Sequence, residues 1–198
     1  MLRRREFRFP GLHSVLVLNQ DFINVEGTGG AVWRPSIEFA SFMCSSEGPR
    51  CLPLAGKSVL EISSGLGLGA IAAWHLGASL VVATDIDFEG GPMALLRLNV
   101  AANCIGIART VATDNHQHTE QDGGSVREAN GGVTKADQAN RASPSSLPLV
   151  RELRWGDATQ LADALSAFGG VGPDVVLACD VIFDEKLLPA LMETVVGA

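Results

Sequence analysis

"VLEISSGLGLGAI", residues 59–71, joins a β-branched and aliphatic run to three closely spaced glycines and then to helix formers. An apolar run of this length, stopped by glycine, reads as a buried strand that turns at Gly65, Gly67 and Gly69 into a helix. Glycines at that spacing let a backbone come close to a ligand, and the following helix offers it unpaired N–H groups. Gly65-Leu66-Gly67-Leu68-Gly69-Ala70 also satisfies the dinucleotide pattern G-x-G-x-x-A. On the turn alone, nicotinamide dinucleotides and S-adenosyl-L-methionine both stay open.

Outward from this turn the chain alternates strands and helices. Residues 5–9 and 13–20 read as short strands. Pro35 then suits a first helical turn, followed by the stripe Ile37, Phe39, Ala40 and Met43. "KSVLEIS" is a buried strand, and 68–77 a helix closed by Gly77. "SLVVATD" is a second buried strand, ending in Asp85. Pro92 opens a helix with Met93, Leu96, Val100 and Cys104 on one stripe. "LVRELRW", "ATQLADALSAF", "PDVVLACDV" and "EKLLPALMETVV" continue as strand, helix, strand, helix. Continuous apolar strands alternating with helices predict an α/β fold with a Rossmann-like, doubly wound parallel sheet.

Residues 111–147 interrupt this pattern with Gly, Ser, Asn, Asp and Gln and almost no large apolar residue. Such a composition does not repay the entropy of ordering, so a disordered insertion is expected. His116 and His118 near Asp114 read as part of that solvated loop, and no metal site is expected. The expected organisation is one domain, 1–198. Residues 1–56 form N-terminal strands and a cofactor-covering helix, 57–110 and 148–198 the core, and 111–147 the insertion.

The bulk numbers narrow the function. A chain of 198 residues can bury a core as one domain, and its net charge of −7 excludes an electrostatic footprint for nucleic acid or an anionic membrane. Arg3, Arg4 and Arg5 are read as a solvated terminus, since no apolar stretch of signal-peptide length follows them. No stretch approaches the ~20 apolar residues of a membrane span. Cys44, Cys51, Cys104 and Cys179 are scattered without a C-x-x-C pair, which suits reduced thiols in a cytoplasmic protein. A monomer is expected.

Ligands of such sheets sit beyond the carboxyl ends of the strands. Asp85 there suits ribose hydroxyls of either cofactor class. Glu61, inside the strand four residues before Gly65, would pair with the ammonium of S-adenosylmethionine, whereas a pyrophosphate gains nothing from it. Trp155 would give an adenine a flat face, and Asp157 would accept from its amino group.

"GTGGAVWRPSIEFASFM", "VLEISSGLGLGAIAAWHLGA", "VVATDID", "LLRLNVAAN", "LRWGD" and "DVVLACDVIFDE" occur here in that order. The set resembles the seven-β-strand protein-lysine methyltransferases, which modify elongation factors, chaperones and similar targets. The resemblance covers roughly residues 27–104 and 150–190. It implies that Trp33 lies in a loop-helix over the cofactor. It further implies that Glu61, Ser63, Gly65 and Gly67 form the cofactor turn, Asp85 binds ribose, and Trp155 and Asp157 line the adenine pocket. Asp180 and Phe183 are the implied catalytic pair at the substrate mouth, in a D-x-x-Y-like element. The implied cofactor is S-adenosyl-L-methionine and the implied partner a protein bearing a target lysine.

Three departures from the family pattern stand out. Ser63 occupies the place of the turn's first glycine, which is tolerable if the backbone there keeps a negative φ. Phe183 replaces a tyrosine, keeping an aromatic wall without its hydroxyl. The family fold continues through further strands beyond the last helix, so a truncated chain with an exposed sheet edge beside Asp180 is expected. The reaction implied is in-line methyl transfer to a neutral lysine amine, with Asp180 orienting it. The competing readings are a small-molecule methyltransferase, a non-catalytic cofactor- or partner-binding remnant, and a nicotinamide oxidoreductase.

Overall fold

The computed structural model describes residues 2–23, 28–87, 91–114 and 146–198, with backbone alone for 106–114. Its core is a four-stranded parallel sheet made of β3 (Ser58–Ile62), β4 (Leu80–Asp85), β5 (Leu149–Glu152) and β6 (Val175–Ala178), in the order β5-β4-β3-β6. Helices α3 (Leu68–His75), α4 (Pro92–Asp114), α5 (Ala158–Ser166) and α6 (Leu188–Gly197) alternate with the strands, the last preceded by a 3-10 turn at Glu185–Leu187. The Rossmann-like α/β expectation holds. From β3 the chain steps through β4 to β5, then returns past β3 to form β6. The strand order therefore reverses beside β3, and ligands of such sheets bind at the carboxyl end of that switch point.

Alternation of side chains decides what each face holds. Val59, Val81 and Ala83 point to the layer of α3 and α4, where Ile71, Trp74, Met93, Leu96 and Val100 are buried. Leu60, Ile62 and Val82 point to the other layer, with Leu153, Ala164, Phe168 and Leu191. Both faces are covered, which is why the central strands read as unbroken apolar runs. By the same alternation Glu61 and Asp85 fall on the α3 side, and there they meet the turn. Among the described residues β6 has only one strand neighbour, and its residues are half-buried except Leu177, which is buried, and Ala178, which is exposed.

Of the N-terminal strands, β1 (Arg3–Phe7) has the expected length but starts two residues earlier, and β2 (Leu16–Gln20) is shorter than expected; they pair antiparallel from Arg3 opposite Gln20 to Phe7 opposite Leu16. Pairing sets these limits, because only residues with a partner opposite can join the ladder. Arg3, Arg4 and Arg5 are exposed, in line with a solvated terminus, and they lie in β1, with the Arg3 and Arg5 guanidinium groups over the rings of Phe22 and Phe7, 5.9 and 5.0 Å from the centroids. Helix α1 (Arg34–Met43) takes Pro35 in its first turn and buries Ala40 and Met43; a short helix α2 (Gly48–Cys51) follows, unforeseen in the sequence.

Two buried asparagines dock the hairpin onto α4. Asn103 receives the Val17 N–H at 2.7 Å and donates to the Val17 carbonyl at 2.9 Å. Asn99 receives the Asn19 N–H at 2.7 Å and donates to the carbonyls of Asn19 and Leu66, both at 3.1 Å. The amide thus satisfies strand and glycine-turn backbone together, which a buried backbone requires.

The insertion expected over 111–147 lies mostly outside the described residues, and so do His116 and His118. At its edges, residues 111–114 continue α4, the Ser146 carbonyl accepts from the Trp74 indole at 2.8 Å, and Leu147 packs on the core. Among the described residues no helix is long and apolar enough to cross a membrane, and none of the four cysteines forms a disulfide.

Candidate functional site

The glycine turn closes on itself at the end of β3. The Gly67 N–H donates to the Ser64 carbonyl at 2.8 Å, and Gly65 and Gly67 sit at φ +54° and +87°. Gly67 needs its missing Cβ for two reasons: the left-handed backbone, and Leu96 Cδ1, which would stand 2.6 Å away. A Gly67→Ala protein should therefore lose at least about 1–2 kcal/mol, the cost of a left-handed alanine, with the displaced Leu96 adding to it; chemical denaturation reads it. Gly65 differs. A Cβ there would meet nothing within 4 Å, so the turn faces open space on that side. Gly69 is the packing glycine, since a Cβ would run into the Glu61 carboxylate.

Glu61 is buried at 4 % exposure, and its Oε2 accepts the Ala70 N–H of α3 at 2.8 Å. Burial pushes its carboxyl up from 4.5 to about 7, helped by the neighbouring charge of Asp85 and opposed by hydrogen bonds from Ser64 and Ala70. Asp85, at the end of β4, accepts from Gly65 N–H through Oδ2 at 2.6 Å and from Ile86 N–H through Oδ1 at 2.7 Å. Its carboxyl is also raised by burial, against those two hydrogen bonds. Among the described residues neither acid has a Lys, Arg or His in an ion pair. Two desolvated acids thus lie beside an open glycine turn with no cationic partner among the described residues, so a bound cation would favour their ionised forms.

Around this centre the sequence-predicted residues fall into two groups. Trp33 is the N-cap residue of α1, half exposed, with its indole N–H donated to the Thr28 carbonyl at 2.8 Å. Ser36, in the same helix, hydrogen-bonds Cys179 at the end of β6. The Cys179 thiol is raised by partial burial and by Glu61 and Asp180. Asp180 is exposed and left-handed at φ +59°, a conformation short Asp side chains tolerate better than most. Ser36, Glu61, Cys179 and Asp180 are therefore neighbours around the ends of β3 and β6, whereas the Trp33 indole is held by Thr28.

The second group is aromatic. Trp155, beyond β5, donates its indole N–H to Ser63 Oγ at 3.0 Å, and its ring lies 5.7 Å from that of the exposed Phe183, tilted by 44°. Asp157 caps α5, its Oδ1 accepting from Thr159 and Gln160 N–H at 2.9 and 3.0 Å. One expectation is corrected. Ser63 does not keep a negative φ but sits at +56°. The turn needs left-handed backbone at that point whichever residue occupies it.

Sequence reasoning missed several partners. Ser64 and Thr84 lace β3 to β4: Thr84 Oγ1 donates to the Glu61 carbonyl at 2.7 Å, and Ser64 Oγ accepts the Thr84 N–H at 3.1 Å. Asn99 and Asn103 carried a signal, two amides four residues apart on the buried side of α4. Ser36 and Cys179 carried none.

No protein-family model matches the chain. It is 26% identical over 184 residues to protein-lysine N-methyltransferase EFM3 of Chaetomium thermophilum, covering 92% of this chain and 42% of that protein. It is 26% identical over 177 residues to protein N-lysine methyltransferase METTL21A of Danio rerio, covering 89% of this chain and 58% of that one. The chain thus spans about half the length of these relatives. Along about nine-tenths of its own length, the chain is similar to two proteins named as protein-lysine methyltransferases.

Proposed function

We propose that the chain binds S-adenosyl-L-methionine and transfers its methyl group to a lysine side chain of a protein substrate, acting as a cytoplasmic monomer. The observation that carries this reading is the uncompensated pair of buried acids, Glu61 and Asp85, beside the open face of Gly65. A cationic nucleoside fits that charge. A dinucleotide pyrophosphate, doubly negative, does not. The relatives' names support the same class and a lysine acceptor.

In this reading Glu61 holds the ammonium of the methionine half and Asp85 the ribose hydroxyls. Trp155 flanks the adenine and Asp157 accepts from its amino group. When bound, the cofactor supplies an electrophilic methyl group on a sulfonium, open to in-line attack by a neutral amine. The chain's part is to hold donor and acceptor at attack distance and to exclude water. Asp180, exposed at the end of β6, orients the amine and stabilises the ammonium as charge moves onto nitrogen. Phe183 contributes an apolar wall for the lysine stem.

Calorimetry separates this reading from its rival. S-adenosylhomocysteine is expected to bind and to raise Tm, and NAD to do neither. Tight NAD binding with no response to S-adenosylhomocysteine would remove the proposal.

A further inference from the structure

Ser63, at φ +56°, holds a left-handed conformation that strains a serine and costs a glycine almost nothing. Strain of this kind persists where the surroundings over-determine it, and it collects at functional positions. The gain here is visible. The hydroxyl accepts the Trp155 indole N–H at 3.0 Å, a bond no glycine makes. Ser63 follows β3 and Trp155 follows β5, with β4 between them, so the bond ties the turn across one strand to the sheet's edge. Trp155 packs on the layer of Leu60, Ile62 and Val82, and Phe183, arriving from β6, lies against its ring. Among the described residues, Ser63 Oγ is the hydrogen-bond acceptor that sets the rotation of the half-buried indole.

We propose that Ser63 is a positioning residue: the turn imposes the left-handed backbone, and a serine rather than a glycine stands there because its hydroxyl sets the orientation of the Trp155 ring, and through it the Trp155–Phe183 wall. The inference rests on the proposed cofactor reading for its consequence, a pre-set flat face for the adenine. It rests on the geometry alone for the bond. Ser63 acts through Trp155 and touches no reacting atom.

The test uses two substitutions that share one loss and differ in the other. Ser63→Gly removes the hydroxyl and relieves the backbone, whereas Ser63→Ala removes the hydroxyl and keeps the strain. Nitrogen-15 NMR resolves the indole N–H of Trp33, Trp74 and Trp155, with assignments from single Trp→Phe variants. In both Ser63 variants the Trp155 indole N–H should shift and exchange faster, with the other two unmoved. Tm should be unchanged or higher for Ser63→Gly and lower for Ser63→Ala. S-adenosylhomocysteine affinity should fall alike in both, by roughly three- to tenfold, the worth of one neutral hydrogen bond. A merely structural serine predicts affinity that follows Tm, so wild-type affinity in Ser63→Gly overturns the inference, as does an unmoved Trp155 resonance. If the wild-type chain itself ignores S-adenosylhomocysteine, the cofactor reading has failed, a result told apart by the indole signal, which needs no ligand.

Discussion

Glu61→Gln is expected to make the free protein more stable at pH 8 while making it a poorer binder of S-adenosylhomocysteine. Glutamine keeps the carbonyl oxygen that accepts from Ala70 N–H, so the start of α3 stays capped. What it removes is a desolvated charge. The rise from 4.5 to about 7 corresponds to on the order of 3 kcal/mol at ~1.4 kcal/mol per unit, an upper figure for the gain. The sign follows from proton counting. Between those pH values the folded chain holds a proton that the unfolded chain has released. Glu61 therefore contributes its full stability below pH 4.5 and loses that contribution as pH rises through about 7. Wild-type Tm should fall relative to the variant from pH 5 to pH 8, with the gap widest at the top. Asp85, raised in the same direction, leaves part of the slope in both proteins. Binding runs the other way, since a cationic ligand favours ionised Glu61. Wild-type affinity should strengthen as pH rises through 7, and the variant should lose roughly 10- to 100-fold, as for one charge-assisted hydrogen bond. Denaturation and calorimetry at pH 5, 6, 7 and 8 check both. Equal Tm curves would contradict the burial of the carboxylate, and equal affinities its place in the site.

Asp85→Ala should damage stability and affinity together, and Asp85→Asn should separate them. The alanine strands Gly65 and Ile86 N–H groups that now share one carboxylate at 2.6 and 2.7 Å. Leaving part-buried donors unmade costs about 1–3 kcal/mol each, partly offset by shedding a desolvated charge, so a net loss of about 2–3 kcal/mol is expected. Asparagine keeps one acceptor and sheds the same charge, and its Tm should stay near wild type. Both lose the charged acceptor proposed for the ribose hydroxyls, so both should bind S-adenosylhomocysteine at least about tenfold more weakly. Wild-type affinity in the folded asparagine variant would reduce Asp85 to a clasp for the glycine turn.

Much of the architecture was legible because it depends on local periodicity. The runs around 59–62 and 80–85 are apolar throughout since helices cover both faces, and Pro35 and Pro92 mark helix starts because their fixed φ suits a first turn. Gly77 closes α3 at φ +92°, as its position after the apolar stripe suggested. Element edges were less legible. β1 and β2 end where cross-strand partners end, and the composition break at 111 misses a backbone helix running to Asp114.

The sequence by itself determined the α/β alternation, the glycine turn and the presence of acids at the ends of β3 and β4, because strand period, glycine spacing and residue identity are one-dimensional facts. Only the tertiary structure decided what those groups do to one another. Glu61 and Asp85 share one face of adjacent strands, so each is desolvated beside the other, and no single segment contains that coupling. Ser63 and Trp155 stand 92 residues apart and meet only because the sheet order folds β5 back beside β4. The left-handed φ of Ser63 is likewise imposed by the turn's closure against β4, through Ser64 N–H on the Thr84 carbonyl at 2.8 Å, and not by any preference of serine.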